Sequence, residues 1–173
     1  MDTHISIYAD KQGESENENR KKLEEMGYTL PEVPMDMWNW DRAKKVGNLI
    51  FMGTTGPWPL IHRGEQDKYY GAIGREITVE FGKEIARMCA LSMLAALKNR
   101  LGDLDRIDQI AKMEVYIYGI GGSPKPYLEV ADVASKLFID LFGENGRATR
   151  TVTPQNGIAN VSVELDMIVS VKE

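Results

Sequence analysis

Gly146-Arg147-Ala148-Thr149-Arg150-Thr151 leads through Pro154-Gln155-Asn156-Gly157 into Val161-Ser162-Val163-Glu164-Leu165-Asp166-Met167-Ile168-Val169-Ser170-Val171. In the final run Val161, Val163, Leu165, Met167, Val169 and Val171 alternate with Ser162, Glu164, Asp166 and Ile168, the period-2 signature of a half-buried strand. A guanidinium at Arg150, a turn signal at Asn156-Gly157 and a strand bearing Glu164 thus fall within one short span, a combination that suggests a binding site. A two-residue turn at Asn156-Gly157 would set Arg150 opposite Val163 and send Glu164 to the other sheet face. Either the loop is longer or bulged, or the two residues meet across a subunit boundary.

Working outward, Tyr127, Val130, Val133, Ala134, Leu137, Phe138, Leu141 and Phe142 recur at helical spacing, with Gly143 as the residue beyond the helix. Ile110 to Tyr118 alternates Met113, Val115 and Ile117 with Lys112, Glu114, Tyr116 and Tyr118, a second half-buried strand. A longer helix is expected from an N-cap at Thr78 to Leu101, closed by Gly102. It is apolar nearly all round between Ile85 and Leu97, so it must be covered on more than one side. Val46 to Met52 reads as a short buried strand ended by Gly53-Thr54-Thr55-Gly56-Pro57. Strands flanking two helices give an α+β class, a mixed sheet with both helices packed on one face. The polar face would carry Lys112, Glu114, Tyr116, Ser162, Glu164 and Asp166, and Tyr116, Tyr118 and Ile168 make it suitable for a partner subunit.

The first 37 residues read as an N-terminal extension, with residues 38–173 forming the main domain. Within the extension, a polar helix is expected from Ser15 to Met26, with Ser15 and Glu18 in capping-box spacing and Gly27 at its end; a loosely attached surface helix is the simplest reading.

Composition narrows the function classes. At 173 residues the chain is large enough for one core without staples. Its net charge of -5 opposes a nucleic-acid role, and the densest basic group outside the N-terminal segment, Arg42, Lys44 and Lys45, is offset by the adjoining Asp41. The single cysteine, Cys89, sits in the most apolar helix and reads as an inert core thiol. His4 and His62 lack ligand spacing, so no metal site is expected. Gly119-Ile120-Gly121-Gly122 lacks the lysine-serine pair of a phosphate loop and reads as a rim loop. No apolar run is long enough to cross a bilayer. A cytoplasmic protein without membrane association is the expectation.

Val46-Gly47-Asn48-Leu49-Ile50-Phe51, Cys89 to Lys98, Leu101 to Ile107 and Gly146 to Thr151, in this order and spacing, resemble the Rid/YjgF family, and within it the branch with a longer N-terminus and a chorismate-mutase-like fold. The resemblance covers roughly residues 27 to 171. It implies a barrel-like homotrimer with clefts between subunits, and hydrolysis of a carboxylate-bearing enamine or imine to a 2-oxo acid and ammonia without metal or organic cofactor. Carried over by position, Arg150 would grip the substrate carboxylate. Glu164 would serve the hydrolytic water, and Trp40, seven residues before the Gly-Asn turn, would wall the cleft. Gly53, beside Thr54, replaces the family's serine, Val152 its cysteine, and Ser135 falls near its asparagine. Taken alone, Arg150 would be a surface or interface arginine paired to Glu164 or Asp166, Glu164 a solvated glutamate and Trp40 a packing residue. The loss of the three polar equivalents keeps open a non-catalytic trimer that binds a small carboxylate or regulates a partner. A ribonuclease reading, suggested by some relatives, is opposed by the acidic balance.

Overall fold

A computed structural model describes residues 17–35, 39–58, 66–119, 121–155 and 161–172. Its longest element, α2 (Val79–Leu101), begins where Thr78 Oγ1 accepts the Phe81 amide at 3.2 Å and ends at Gly102, whose φ of 81° no β-carbon residue adopts readily. Ile85, Ala86, Cys89, Ala90, Met93 and Leu94 are buried on one half of the helix and Ser92 and Ala95 beyond it, which explains the nearly all-round apolar pattern. The sheet covers one side and α3 (Lys125–Phe142) another. The extension covers a third, with Asn99 Nδ2 donating to the Val33 carbonyl at 3.1 Å, and Trp58 joins it there, its amide donating to Ser92 Oγ at 3.1 Å and its indole nitrogen to the Glu32 carbonyl at 2.7 Å.

Five strands form one sheet: β1 (Ala43–Val46), β2 (Leu49–Thr55), β3 (Ile107–Tyr118), β4 (Thr149–Gln155) and β5 (Val163–Val171), in the order β1-β2-β5-β3-β4. All neighbours are antiparallel except β3 and β4, which run parallel because α3 carries the chain back before β4 begins. The mixed sheet and α+β class agree with the sequence, whereas two local expectations do not. The run Val46 to Met52 is not one strand. Val46 pairs with Leu49 across Gly47-Asn48, and the φ of 61° at Gly47 lets a two-residue loop turn the chain into a hairpin. Nor do β4 and β5 form a hairpin: they flank β3 on opposite sides, and Asn156-Gly157 lies outside the described residues.

The inner face is dry. Met113, Val115 and Ile117 of β3 and Val163, Leu165, Met167 and Val169 of β5 are fully or almost fully buried beneath the helices. The outer face carries Lys112, Glu114 and Tyr116 beside Ile168, Asp166 and Glu164, as the alternation requires. Ser162 departs from it. It precedes β5 and is buried, with its hydroxyl 2.8 Å from the Gly71 carbonyl.

Among the described residues a third α-helix joins α2 and α3, the one expected in the extension. The third, α1 (Glu18–Glu25), is capped by Asn17, whose Oδ1 accepts the Arg20 amide at 3.0 Å; Ser15 lies outside the described residues. At its other end the Gly27 amide returns to Glu24 and the Tyr28 amide to Leu23, a Schellman closure made possible by the Gly27 φ of 79°. This helix is anchored, not loose. Leu23 is buried in the same cluster as the sheet, the amides of Glu18 and Asn19 donate to the two Asp105 oxygens at 2.8 and 2.9 Å, and Lys22 Nζ donates to the Leu141 carbonyl at 3.0 Å. Asp105→Ala should therefore cost about 1 kcal/mol in chemical denaturation. Hydrogen exchange should speed up in α1 while α2 stays protected; uniform loss across both helices would refute a local anchor.

Candidate functional site

Arg150 lies in β4 opposite Met113, an inner-face residue, so its side chain is directed to the helix side of the sheet edge. There α3 presents Asp132 and Ser135, three residues apart and so on one helix face. Arg150 Nη1 donates to Asp132 Oδ1 at 2.7 Å and to Ser135 Oγ at 2.8 Å. The three residues line an open hollow of about 440 Å³ with Lys136, Asp140 and Arg147. Lys136 is paired with Asp140 at 2.6 Å, and Arg147 makes two bonds to Glu144 at 2.8 and 2.9 Å. The arginine side chain keeps 23% exposure, half sheltered yet reachable from the hollow. Val152, on the same face of β4, packs partly buried against the core.

A second group forms around β2. Met52 pairs with Met167 and Thr55 with Leu165, leaving Gly53 and Thr54 opposite the single residue Asp166: a β-bulge, which bends the strand and re-aims its backbone. Trp40 lies over this bulge, and a β-carbon at Gly53 would come within 3.4 Å of its ring. The indole is 43% exposed, and Thr54 is exposed beside it. Arg42 holds the corner together. Its guanidinium carbon lies 5.8 Å from the Trp40 ring and 5.3 Å from the Trp58 ring, and Nε donates to the Pro34 carbonyl at 2.8 Å. Burial lowers the pKa of this guanidinium. Arg42 is thus interior, and the basic group read with Lys44 and Lys45 separates into one buried cation and two exposed ones.

Glu164 is on the outer face, paired with Tyr116, and its Oε2 accepts from Gln155 Nε2 at 3.0 Å. Around it Tyr116 donates to Asp166 Oδ2 at 2.8 Å and Thr153 Oγ1 to Glu114 Oε1 at 2.9 Å. Desolvation, reinforced by the bond to Asp166, pushes the Tyr116 phenol well above its ordinary pKa, so it stays a donor. The bonds from Thr153 and Lys112 hold Glu114 below its ordinary pKa, so it stays an acceptor.

The sequence-predicted residues therefore fall into separate groups. Arg150 and Ser135 touch, and Trp40 touches the Gly53 bulge, but Arg150 and Glu164 occupy opposite faces of one sheet. Strands β2 and β4 are separated by β5 and β3, roughly 14 Å at ordinary strand spacing. The acid beside Arg150 is Asp132, neither of the two carboxylates of the last strand, and sequence reading missed it. The Asp132–Ser135 spacing on a helix is a usable signal only once β4 is known to lie under that helix. At the rim, the Tyr127 hydroxyl accepts the Gly121 amide at 2.7 Å and fixes one end of the glycine loop; Ile120, His4 and His62 lie outside the described residues. Among the described residues no group of His, Cys, Asp or Glu could hold a metal ion, and no helix is long and apolar enough to cross a membrane.

A family model described as "YjgF/chorismate_mutase-like, putative endoribonuclease" matches residues 20–169. Among solved structures, the chain is similar to the protein Atu1372 of Agrobacterium tumefaciens, of unknown function: 28% identity, TM-score 0.77, with 90% of this chain and 94% of that one covered. A Shewanella oneidensis MR-1 protein described in the same endoribonuclease terms shares 26% identity at a TM-score of 0.78, over 88% of this chain and 99% of that one. Protein TCP17 of Trypanosoma cruzi is 35% identical over 107 residues, 57% of this chain, and the match spans 62% of TCP17's length. The structure of E. coli TdcF with bound serine, at 16% identity and a TM-score of 0.53 over 84% of this chain and all of that one, shares the fold.

Proposed function

Because the chain belongs to the YjgF/chorismate mutase-like family, we propose that it binds a small carboxylate-bearing imine or enamine and hydrolyses it to a 2-oxo acid and ammonia. The observation that carries this reading is Arg150, held at the rim of a hollow by Ser135 with part of its guanidinium open to a ligand. A planar guanidinium meets a carboxylate through two parallel charge-assisted bonds, which fixes both position and orientation. The placement of Glu164 on the opposite face of the sheet from Arg150, and of the Trp40 bulge three strands away from it, supports a cleft completed by a second copy, in a homotrimer, since one protomer cannot turn these groups toward one ligand.

In such a cleft Arg150 clamps the carboxylate and Trp40 walls the alkyl part. Glu164, one oxygen held by Gln155, accepts a proton from water as the water oxygen bonds to the imine carbon. For an imine protonated on nitrogen, that proton passes to the nitrogen of the carbinolamine; Glu164 then takes the remaining hydroxyl proton as the C–N bond breaks and the carbonyl forms, and the departing ammonia carries that proton away as ammonium. Positioning and fixed charge supply the acceleration.

The test is ammonia release from freshly generated imino acid, with and without the protein, against the spontaneous rate in buffer. A rate proportional to protein concentration is expected; the spontaneous rate alone would refute hydrolysis. One observation favours a second reading: Gly53 and Val152 offer no polar side chain to the nitrogen end of a substrate. A trimer that only binds small carboxylates would be stabilised by a 2-oxo acid yet release no extra ammonia.

A further inference from the structure

We propose that Asp132 determines which carboxylates the Arg150 site accepts, disfavouring plain anions and favouring ligands that carry a positive charge beside the carboxylate. This inference rests on the reading of Arg150 as the carboxylate anchor. Its basis is the way the guanidinium is already divided. Both protons of Nη1 are engaged, one by Asp132 Oδ1 at 2.7 Å and one by Ser135 Oγ at 2.8 Å. Among the described residues no hydrogen bond occupies Nε or Nη2. A ligand carboxylate therefore docks on the Nε/Nη2 edge, with the Asp132 carboxylate already on the other side of the same cation.

Two carboxylates sharing one guanidinium leave a net negative charge, and the ligand's own charge decides the outcome. A 2-oxo acid adds only its anion and is repelled by Asp132 across a few ångströms of partly solvated space. An imino acid protonated on nitrogen brings a compensating positive charge and is attracted by the same carboxylate. Ser135 does not discriminate, because a hydroxyl holds the guanidinium without adding charge. The hollow reinforces the effect: Lys136 and Arg147, its other cations, are each paired with an acid of their own, Asp140 and Glu144, so neither offsets Asp132. For the hydrolysis proposed above, the consequence is direct: the protonated substrate is held more firmly than the 2-oxo acid product, which favours product release.

Two probes with one carbon skeleton isolate the effect, 2-oxobutanoate as the anion and 2-aminobutanoate as the zwitterion, titrated calorimetrically at low salt. Asp132→Asn keeps an oxygen that can accept from Nη1 and removes only the charge. It should bind 2-oxobutanoate about three- to tenfold more tightly and 2-aminobutanoate more weakly, shifting the affinity ratio by about tenfold or more. In the wild type, 0.5 M salt should move the ratio in the same direction, while the ratio of Asp132→Asn stays nearly constant. Asp132→Ser, a second neutral variant, should reproduce the shift if the first folds poorly. Arg150→Ala serves as the control for the underlying reading. If it abolishes binding of both probes while Asp132→Asn leaves their ratio unchanged, the specificity role of Asp132 is overturned and the anchor role of Arg150 survives. If Arg150→Ala binds as the wild type does, both fall.

Discussion

Gly146→Ala should destabilise the fold by about 3 kcal/mol and lower the melting temperature by about 10 °C. A β-carbon built on Gly146 would lie 2.0 Å from the Phe138 carbonyl oxygen and 2.9 Å from the Ile139 amide nitrogen. Those are backbone atoms of the last turns of α3, so no rotamer change relieves the overlap. Either the turn after α3 or the helix end must move. Gly27, the left-handed residue that closes α1, provides the contrast: its φ of 79° favours glycine, but a β-carbon built there meets nothing within 4 Å. Gly27→Asn should thus cost about 1 kcal/mol or less, whereas Gly146→Ala acts through the collision itself. The same close approach lets β4 start directly under α3, so the Arg150 bond to Asp132 should weaken together with stability. Thermal melts of the two variants check the pair, and equal shifts would refute a steric origin.

Arg150→Ala should raise the dissociation constant for a 2-oxo acid about 100-fold while moving the melting temperature by no more than a few degrees. Two charge-assisted bonds contribute about 3 kcal/mol together, which sets the affinity loss. Stability changes little because the pair being broken is mostly solvated on its acidic side, with Asp132 65% exposed. Arg150→Lys keeps the charge without the planar fork and should recover only a small part of the affinity. Unchanged affinity in Arg150→Ala would remove the basis of the proposed function.

How far the sequence could be read follows from which interactions are local. The helices α2 and α3 were legible because Thr78, Gly102 and Gly143 mark their ends and their apolar spacing lies within a few turns. The faces of β3 and β5 were legible because alternation alone decides them. Partners were not. Alternation gives the face of Glu164 but cannot tell that β4 skips β5 and runs parallel to β3, a pairing that depends on α3 crossing between them. That single topological fact sets Arg150 at the sheet edge beside Met113, within reach of α3, and replaces the expected carboxylates with Asp132. The hairpin at Gly47-Asn48 was missed because β1 is four residues long, with only Ala43 buried, and gives no alternation to detect. The anchoring of α1 depends on Asp105, more than eighty positions away, a contact no local pattern encodes.

Cys89 lies wholly inside α2, its sulfur 3.3 Å from the Val163 carbonyl, and burial raises the pKa of the thiol well above its ordinary value. Thiol reagents attack the thiolate, and here both that ionisation and any route for the reagent require α2 to part from β5. The chain's sole sulfhydryl is thereby a built-in stopwatch: the pace of its alkylation times how often the centre of the molecule breathes.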